Sequence, residues 1–520
     1  MLRLAELALA AALLLPVAAL AAPDVGQLYT ERCASCHGAD RLGGIGPALL
    51  PENLGRIKPA QVADVIANGR PSTQMPGFAA ELDAEAVQAL AALVLTAPPS
   101  IPPWGMAEIE SSRQILLRPD ELAREPRYTA DPLNLFVVVE SGDHHVTILD
   151  GDKLEPIERF ASRFALHGGP KFSPDGRFVH FMSRDGWVTR YDLWGLQTVA
   201  EVRAGINSRN IAISADGKVI AVANYLPHSL VFLDAETLAP LKVQVVEDAR
   251  HTATSRVSAV YQAAPRKSFI AALKDIPEIW EIPYEENPPP VFSGMVHSHE
   301  KGMVEAIGTV ERFPIRRIDE LAEPLDDFFF DPSYRNLIGS SRDGKRGVVV
   351  NLDVRRTIAE LPLPGLPHLG SGITWERRGR RVMATPHLNE AKLSVIDIQS
   401  WELVQQIPTA GPGFFLRSHE TSPHVWADVF SGPNRDVIHV IDKDSLEIVA
   451  TLRPAPGKTS GHVEFTRDGH FALVSIWEMD GAIVVYDAQS LQEVKRIPMV
   501  KPVGKYNVWN KISQSEGTSH

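Results

Sequence analysis

Both cysteines of this 520-residue chain fall in one five-residue run, Cys33-Ala34-Ser35-Cys36-His37. Thiols one helical turn apart can form thioethers to the two vinyl groups of a haem, and the adjacent His37 then lies under the iron as proximal ligand. Alone, the spacing also fits a thioredoxin-like dithiol. Downstream, Met75-Pro76-Gly77-Phe78 lies in a polar, proline-bearing loop. A thioether at Met75 would fill the sixth iron position, favouring Fe(II) and raising the potential, whereas the competing role is core filler. With both axial positions taken by protein, such a haem transfers electrons and binds no substrate.

The elements needed to position these residues are legible. Pro59–Asn68 reads as a short helix, and Asp83–Leu95 as an amphipathic closing helix with Asp83 near its start. Residues 23–97 resemble cytochrome c over their whole length, and Gly46-Pro47 then matches the loop carrying the proximal histidine's partner carbonyl. Before this module, residues 1–22 hold Arg3, an alanine–leucine run and Ala19-Leu20-Ala21. That pattern is a secretory leader cleaved near Ala21 or Ala22, with a retained anchor as the alternative. The run is short for a bilayer and contains Pro16, so a periplasmic protein without a stable membrane anchor is expected. With 52 basic and 64 acidic residues the net charge is -12, the wrong sign for nucleic-acid binding.

Length alone calls for at least two domains. Ala97-Pro98-Pro99-Ser100-Ile101-Pro102-Pro103 is a stiff boundary, and residues 98–129 form a linker and lead-in. Beyond it a repeat appears. Runs ending at Asp150, Asp192, Asp234, Asp353, Asp397, Asp442 and Asp487 each close a β-rich segment, at the period of a four-stranded propeller blade. Ser-Pro-Asp175-Gly176, Ser-Ala-Asp216-Gly217 and Thr-Arg-Asp468-Gly469 are hairpin turns at a similar phase, and Asp343-Gly344 is a like turn nearer its aspartate. The wide gap from Asp234 to Asp353 leaves room for a degenerate blade around Glu278–Ile282 and an insertion over 283–317. Its His297 and His299 read as loop residues. The expected fold is therefore an all-α cytochrome c domain plus an all-β eight-bladed β-propeller over 130–515, with a disordered tail at 516–520.

Ordered local matches narrow the propeller. Ala165-Leu166-His167 precedes Arg184-Asp185-Gly186-Trp187 and Tyr191-Asp192-Leu193-Trp194; Ser255–Ala259, Pro367–Gly370, Gly413–His419 and Gly504–Asn510 follow. Together these resemble the haem d1 domain of the cytochrome cd1 family. The resemblance implies a d1-type tetrapyrrole on the propeller axis. His167 would be its proximal ligand, and Arg209 and Arg256 would hold its carboxylates by bidentate forks. For either arginine a surface salt bridge is the plain alternative. His368 matches one of two distal histidines of the nitrite reductases.

The chain departs from the reductases elsewhere. It reads Leu325-Asp326-Asp327-Phe328 where they carry the other distal histidine, and Glu140-Ser141-Gly142 where they carry an arginine. Asp326 would repel an anion such as nitrite. The chain is closer to the NirN-type, dihydro-haem d1 dehydrogenase branch. That likeness implies desaturation of a propionate of dihydro-haem d1 to an acrylate, with electrons passed to covalent haem c. His368 is then the acid/base and Tyr506 a hydrogen-bonding pocket residue, each with plain pocket wall as the alternative. His387 and His419 carry no assignment. The implied partners are dihydro-haem d1, a periplasmic electron acceptor, and nitrite reductase or other d1-pathway proteins. A cd1-type nitrite reductase and a non-catalytic haem d1 carrier are the competing readings.

Overall fold

The computed structural model describes residues 24–44, 46–55, 57–70, 75–101, 103–292, 308–309, 311–341 and 344–518. The expected leader, His297, His299 and the Asp343 turn residue lie outside the described residues.

The N-terminal module is a small helical bundle. Its first helix, Val25–Arg32, opens on Asp24, whose carboxylate accepts from the Gly26 N–H at 3.0 Å, satisfying a donor the first turn leaves free. A single turn, Ala34–His37, carries the thiols. Pro59–Asn68 and Ala84–Leu95 form where the sequence places them, the latter capped by Asp83 accepting from Ala86 N at 2.8 Å. Their inward stripes, including Val62, Ile66, Val87, Leu90 and Val94, close one core with Tyr29 and Leu54.

Beyond the linker, eight antiparallel sheets of at least four strands follow in chain order. The second gains a short fifth strand, Gln114–Ile115, from the lead-in. Ring closure uses the far end of the chain: Pro502–Asn507 pairs with Leu135–Glu140 and is the edge strand of the first blade. Trp280, Trp375 and Trp426 are fully buried in the apolar layers that join blades.

The repeat has a local cause. Asp234, Asp397, Asp442 and Asp487 each end the third strand in chain order of their blade, and Asp150 ends the second of the first blade, whose fourth strand comes from the far end of the chain. Each accepts hydrogen bonds from the N–H groups two and three residues on, the Asx turn that reverses the chain. In the fifth blade that acceptor is Asn351, whose side chain takes the Asp353 and Val354 N–H groups. Asp353 itself, expected to end the strand, lies two residues further on and pairs with Arg266 and Arg335.

Two further expectations are corrected. Arg316–Ile318, assigned to the insertion, is the edge strand of the fourth blade and pairs with Ile279–Glu281. The tail, expected disordered, is packed as far as Thr518: Arg381 pairs with Glu516 at 3.3 Å, and the Ser418 N–H donates to the Gly517 carbonyl at 3.2 Å. Among the described residues no helix is long and apolar enough to cross a membrane.

Candidate functional site

In the helical module, His37 is buried and its Nδ1 lies 2.8 Å from the Pro47 carbonyl. That bond places the proton on Nδ1 and leaves Nε2 free to ligate. Gly46 permits it, because a Cβ there would stand 2.8 Å from His37 Cε1. Burial lowers the His37 pKa and raises that of the Cys33 thiol. Both thiols are free. Met75 is brought back to the helix end by Arg70 N donating to its carbonyl at 3.1 Å, across Gly69 in the left-handed region. A neutral, oriented imidazole beside two unpaired thiols fits covalent haem.

In the propeller, a cavity of about 700 Å³ lies among the blades, within the range of cofactor and small-molecule sites. His167, Arg209, His368 and Tyr506 all line it. His167 sits on the segment entering the second blade, just after Ala165 at φ +44°. Its Nδ1 faces the Arg209 carbonyl at 2.8 Å, and its Nε2 meets Arg184 Nη2 at 2.7 Å. The ring is thus oriented as a ligating imidazole would be, with Nε2 as acceptor. Arg209 Nη1 stands 3.4 Å from His167 Nδ1.

Arg256 is the exception. It is absent from the cavity wall, and its guanidinium forks onto Asp275 at 2.6 and 2.9 Å. The salt-bridge alternative holds for this residue.

His368 begins a short turn before the sixth blade. Its Nδ1 lies 2.7 Å from the Phe414 carbonyl and 2.5 Å from Ser371 Oγ. Burial lowers its pKa, with nearby Asp327 acting in the other direction. Tyr506 comes from the ring-closing strand; burial and then Glu464 raise its pKa, so its hydroxyl stays protonated. Asp327 spends one carboxylate oxygen on the Tyr261 hydroxyl at 3.0 Å and the Phe328 N–H at 2.8 Å. The expected repulsion from Asp326 is offset, because Lys274 Nζ holds its carboxylate at 2.5 Å.

The other histidines separate cleanly. His387 bridges the Pro364 carbonyl and Ser394, and His419 contacts Thr421 and the Arg467 carbonyl, so both are structural. Sequence reasoning missed three wall residues, His462, Glu464 and Arg417. His462 faces the cavity from a left-handed backbone, φ +52°, with its ring 5.0 Å from that of Tyr506. Glu464 and Arg417 form a buried pair beside it. Arg417 lies in the matched stretch Gly413–His419, where nothing singles it out; for His462 and Glu464 the signal is polar residues alternating into an apolar strand.

A cytochrome c module joined to an eight-bladed propeller with a histidine- and arginine-lined axial chamber defines a two-centre class of redox protein. The Cytochrome D1 heme domain model matches residues 130–301 and 305–511. The chain therefore belongs to the cytochrome d1 haem domain family. Residues 21–94 match the model for cytochrome c oxidase, cbb3-type, subunit III. The chain is 55% identical to the dihydro-heme d1 dehydrogenase of Pseudomonas aeruginosa, covering 98% of this chain and 99% of that one. It is 26% identical to the nitrite reductase of Stutzerimonas stutzeri, over 96% of each. A solved structure, dihydro-heme d1 dehydrogenase NirN in complex with DHE, superposes with TM-score 0.87 at 55% identity, covering 94% of this chain and 100% of that one.

Proposed function

We propose that this chain oxidises dihydro-haem d1, desaturating one propionate side chain to an acrylate as a step of haem d1 biosynthesis. The observation that carries this reading is the near-full-length 55% identity with a dihydro-heme d1 dehydrogenase, together with the equally similar solved relative bound to DHE.

In the reaction a CH2–CH2 unit becomes CH=CH, and two protons and two electrons leave. Cys33 and Cys36 would attach a covalent haem c whose iron His37 and Met75 would ligate, and that haem would supply one-electron acceptance when bound. His167 holds the iron of the substrate from one face, and Arg209 pairs with one of the ring's carboxylates. His368 is the acid/base. Its Nδ1–H is committed to the Phe414 carbonyl, so Nε2 takes one of the two protons leaving the side chain, and the other passes to solvent. Tyr506 donates a hydrogen bond within the pocket. The electrons pass on to a periplasmic acceptor, and the product serves nitrite reductase or other d1-pathway proteins.

Against nitrite reduction, Asp327 is an acceptor already bonded to Tyr261, where that chemistry needs proton donors. A pure carrier has no use for an electron-transfer module. The test loads purified full-length protein, carrying oxidised haem c, with dihydro-haem d1 and an excess of a one-electron oxidant, and follows absorbance and mass. Loss of two hydrogens is expected. An unchanged macrocycle would refute the reading, and nitric oxide formed from nitrite by the d1-loaded protein would favour the reductase.

A further inference from the structure

One side chain stands at the centre of the seam between the two modules. Arg203 ends the strand Gln197–Arg203 of the second blade and is buried. Its Nη2 donates to the carbonyl of Leu42, in the loop that follows the Cys33–His37 turn. Its Nε donates to the Asp185 carbonyl at 2.8 Å. The guanidinium also lies 4.9 Å from the Trp104 ring centroid, and Trp104 Nε1 donates to the Arg203 carbonyl at 3.0 Å. Cytochrome loop, linker and blade thus converge on a single residue.

The same contact leads on to the chamber. Asp185 is bonded directly to Arg184, whose backbone N–H donates to the Ala165 carbonyl at 3.0 Å, two residues before His167. The turn carrying both residues packs directly on the strand end beyond Arg203: a Cβ on Gly186, at φ +90°, would stand 1.9 Å from the Gly205 carbonyl oxygen. On the other side Gly43, at φ +88°, lets the loop close in: a Cβ there would lie 3.2 Å from Arg203 Nη2. The remaining seam includes Leu42, Ala48 and Leu50 against Ile206, with Asn53 and Asn207 each donating across it at 3.2 Å.

The geometry points to Arg203 as a positioning residue, a pin that fixes the cytochrome module in one pose against the second blade. Apolar contact is non-directional and sets no register. A planar guanidinium with several donors in a fixed fork does. The pin puts the His37 loop on a continuous chain of covalent and hydrogen bonds, Leu42–Arg203–Asp185–Arg184–Ala165, ending on the segment that carries His167 and leaving its Nε2 to the iron. Electron transfer falls steeply with separation, so a fixed pose sets its rate.

This inference rests on haem c being the electron acceptor in the function proposed above. The test uses full-length holoprotein with Arg203→Met and Arg203→Lys. Small-angle scattering without substrate reads the pose. Stopped-flow mixing with dihydro-haem d1, in sucrose of graded viscosity, reads haem c reduction. Wild type is expected to be compact, with a rate independent of viscosity. Arg203→Met is expected to have a larger radius of gyration and reduction slowed by about 100-fold, the size a small misplacement can produce. Its rate should fall further with viscosity, while the optical titration of substrate binding stays within about twofold. Arg203→Lys, retaining charge without the fork, should fall between the two, and it carries the test if the methionine variant does not fold. A variant that is as compact as wild type and reduces haem c as fast at every viscosity overturns the pin. If wild type itself never reduces haem c on mixing, the proposed function fails while the scattering still decides the pin.

Discussion

Replacing His368 with alanine removes an imidazole whose tautomer and position are both set by the chamber. Nδ1 is committed to the Phe414 carbonyl at 2.7 Å. That carbonyl belongs to a loop whose Phe414 and Phe415 N–H groups are held by Asp428 at 2.7 and 3.0 Å. Nε2 is therefore the unprotonated nitrogen, ready to accept. Removing a positioned general base costs about 100- to 10,000-fold in rate, or roughly 3–5 kcal/mol of barrier. The pH sign follows from burial. A base works when neutral, so the rate rises with pH and levels off above the imidazole pKa. Burial lowers that pKa, so the acid limb of the wild-type profile lies below the ordinary value of about 6.5. The assay is single-turnover conversion with an added one-electron oxidant in excess, read as mass loss, between about pH 4.5 and 8. His368→Ala should be slow and lack the limb, with binding by optical titration unchanged. Conversion at the wild-type rate, or a wild-type limb above pH 6.5, would refute the assignment.

Three other outcomes follow from the same structure. His167→Ala should weaken tetrapyrrole binding by at least about 10- to 100-fold, measured by optical titration, while the haem c spectrum stays unchanged. Gly46→Ala puts a Cβ 2.8 Å from His37 Cε1, so the haem c absorbance should shift or fail to develop, with overpacking costing about 1–3 kcal/mol. Arg417→Ala strands the Glu464 carboxylate, and a buried pair broken this way costs about 3–5 kcal/mol, read as a lower denaturant midpoint. Burial opposes the Glu464 charge, but Arg417 and Lys511 outweigh it and hold the pKa below its ordinary value. The pair's stabilisation is therefore present above the unfolded carboxylate pKa and is lost as pH falls through the folded one; in Arg417→Ala that acid-side loss should shrink.

What could be read in advance was whatever rests on local chemistry. The thiol–histidine run and the Asx and Asp-Gly turns need particular residue types at fixed offsets, so they stand out in one dimension. The same reasoning slipped where two residue types do one job: Asn351 replaces the turn aspartate, and Asp353 nearby was mistaken for it. The fourth blade was obscured because its edge strand, Arg316–Ile318, lies well beyond its neighbour in the chain. Arg209 and Arg256 are indistinguishable by type; only the ring's geometry puts one on the cavity wall and the other on Asp275. His462 and Arg203 carry no motif, since one depends on an unusual backbone angle and the other on a contact between modules.

The borrowed strand of the first blade has a consequence for how the molecule matures. Glu140 receives a hydrogen bond from the Val500 N–H, 360 residues away, and Tyr506 reaches the chamber from the same late segment. Until that segment arrives, Leu135–Glu140 has a bare, apolar flank and the tetrapyrrole chamber lacks a wall. The helical module does not depend on that late segment: its main core draws on residues 25–95, and the buried cluster at its seam reaches no further along the chain than Leu226. The electron carrier can thus be complete while the substrate chamber is still open, and the last turn of the ring decides when the second centre can load.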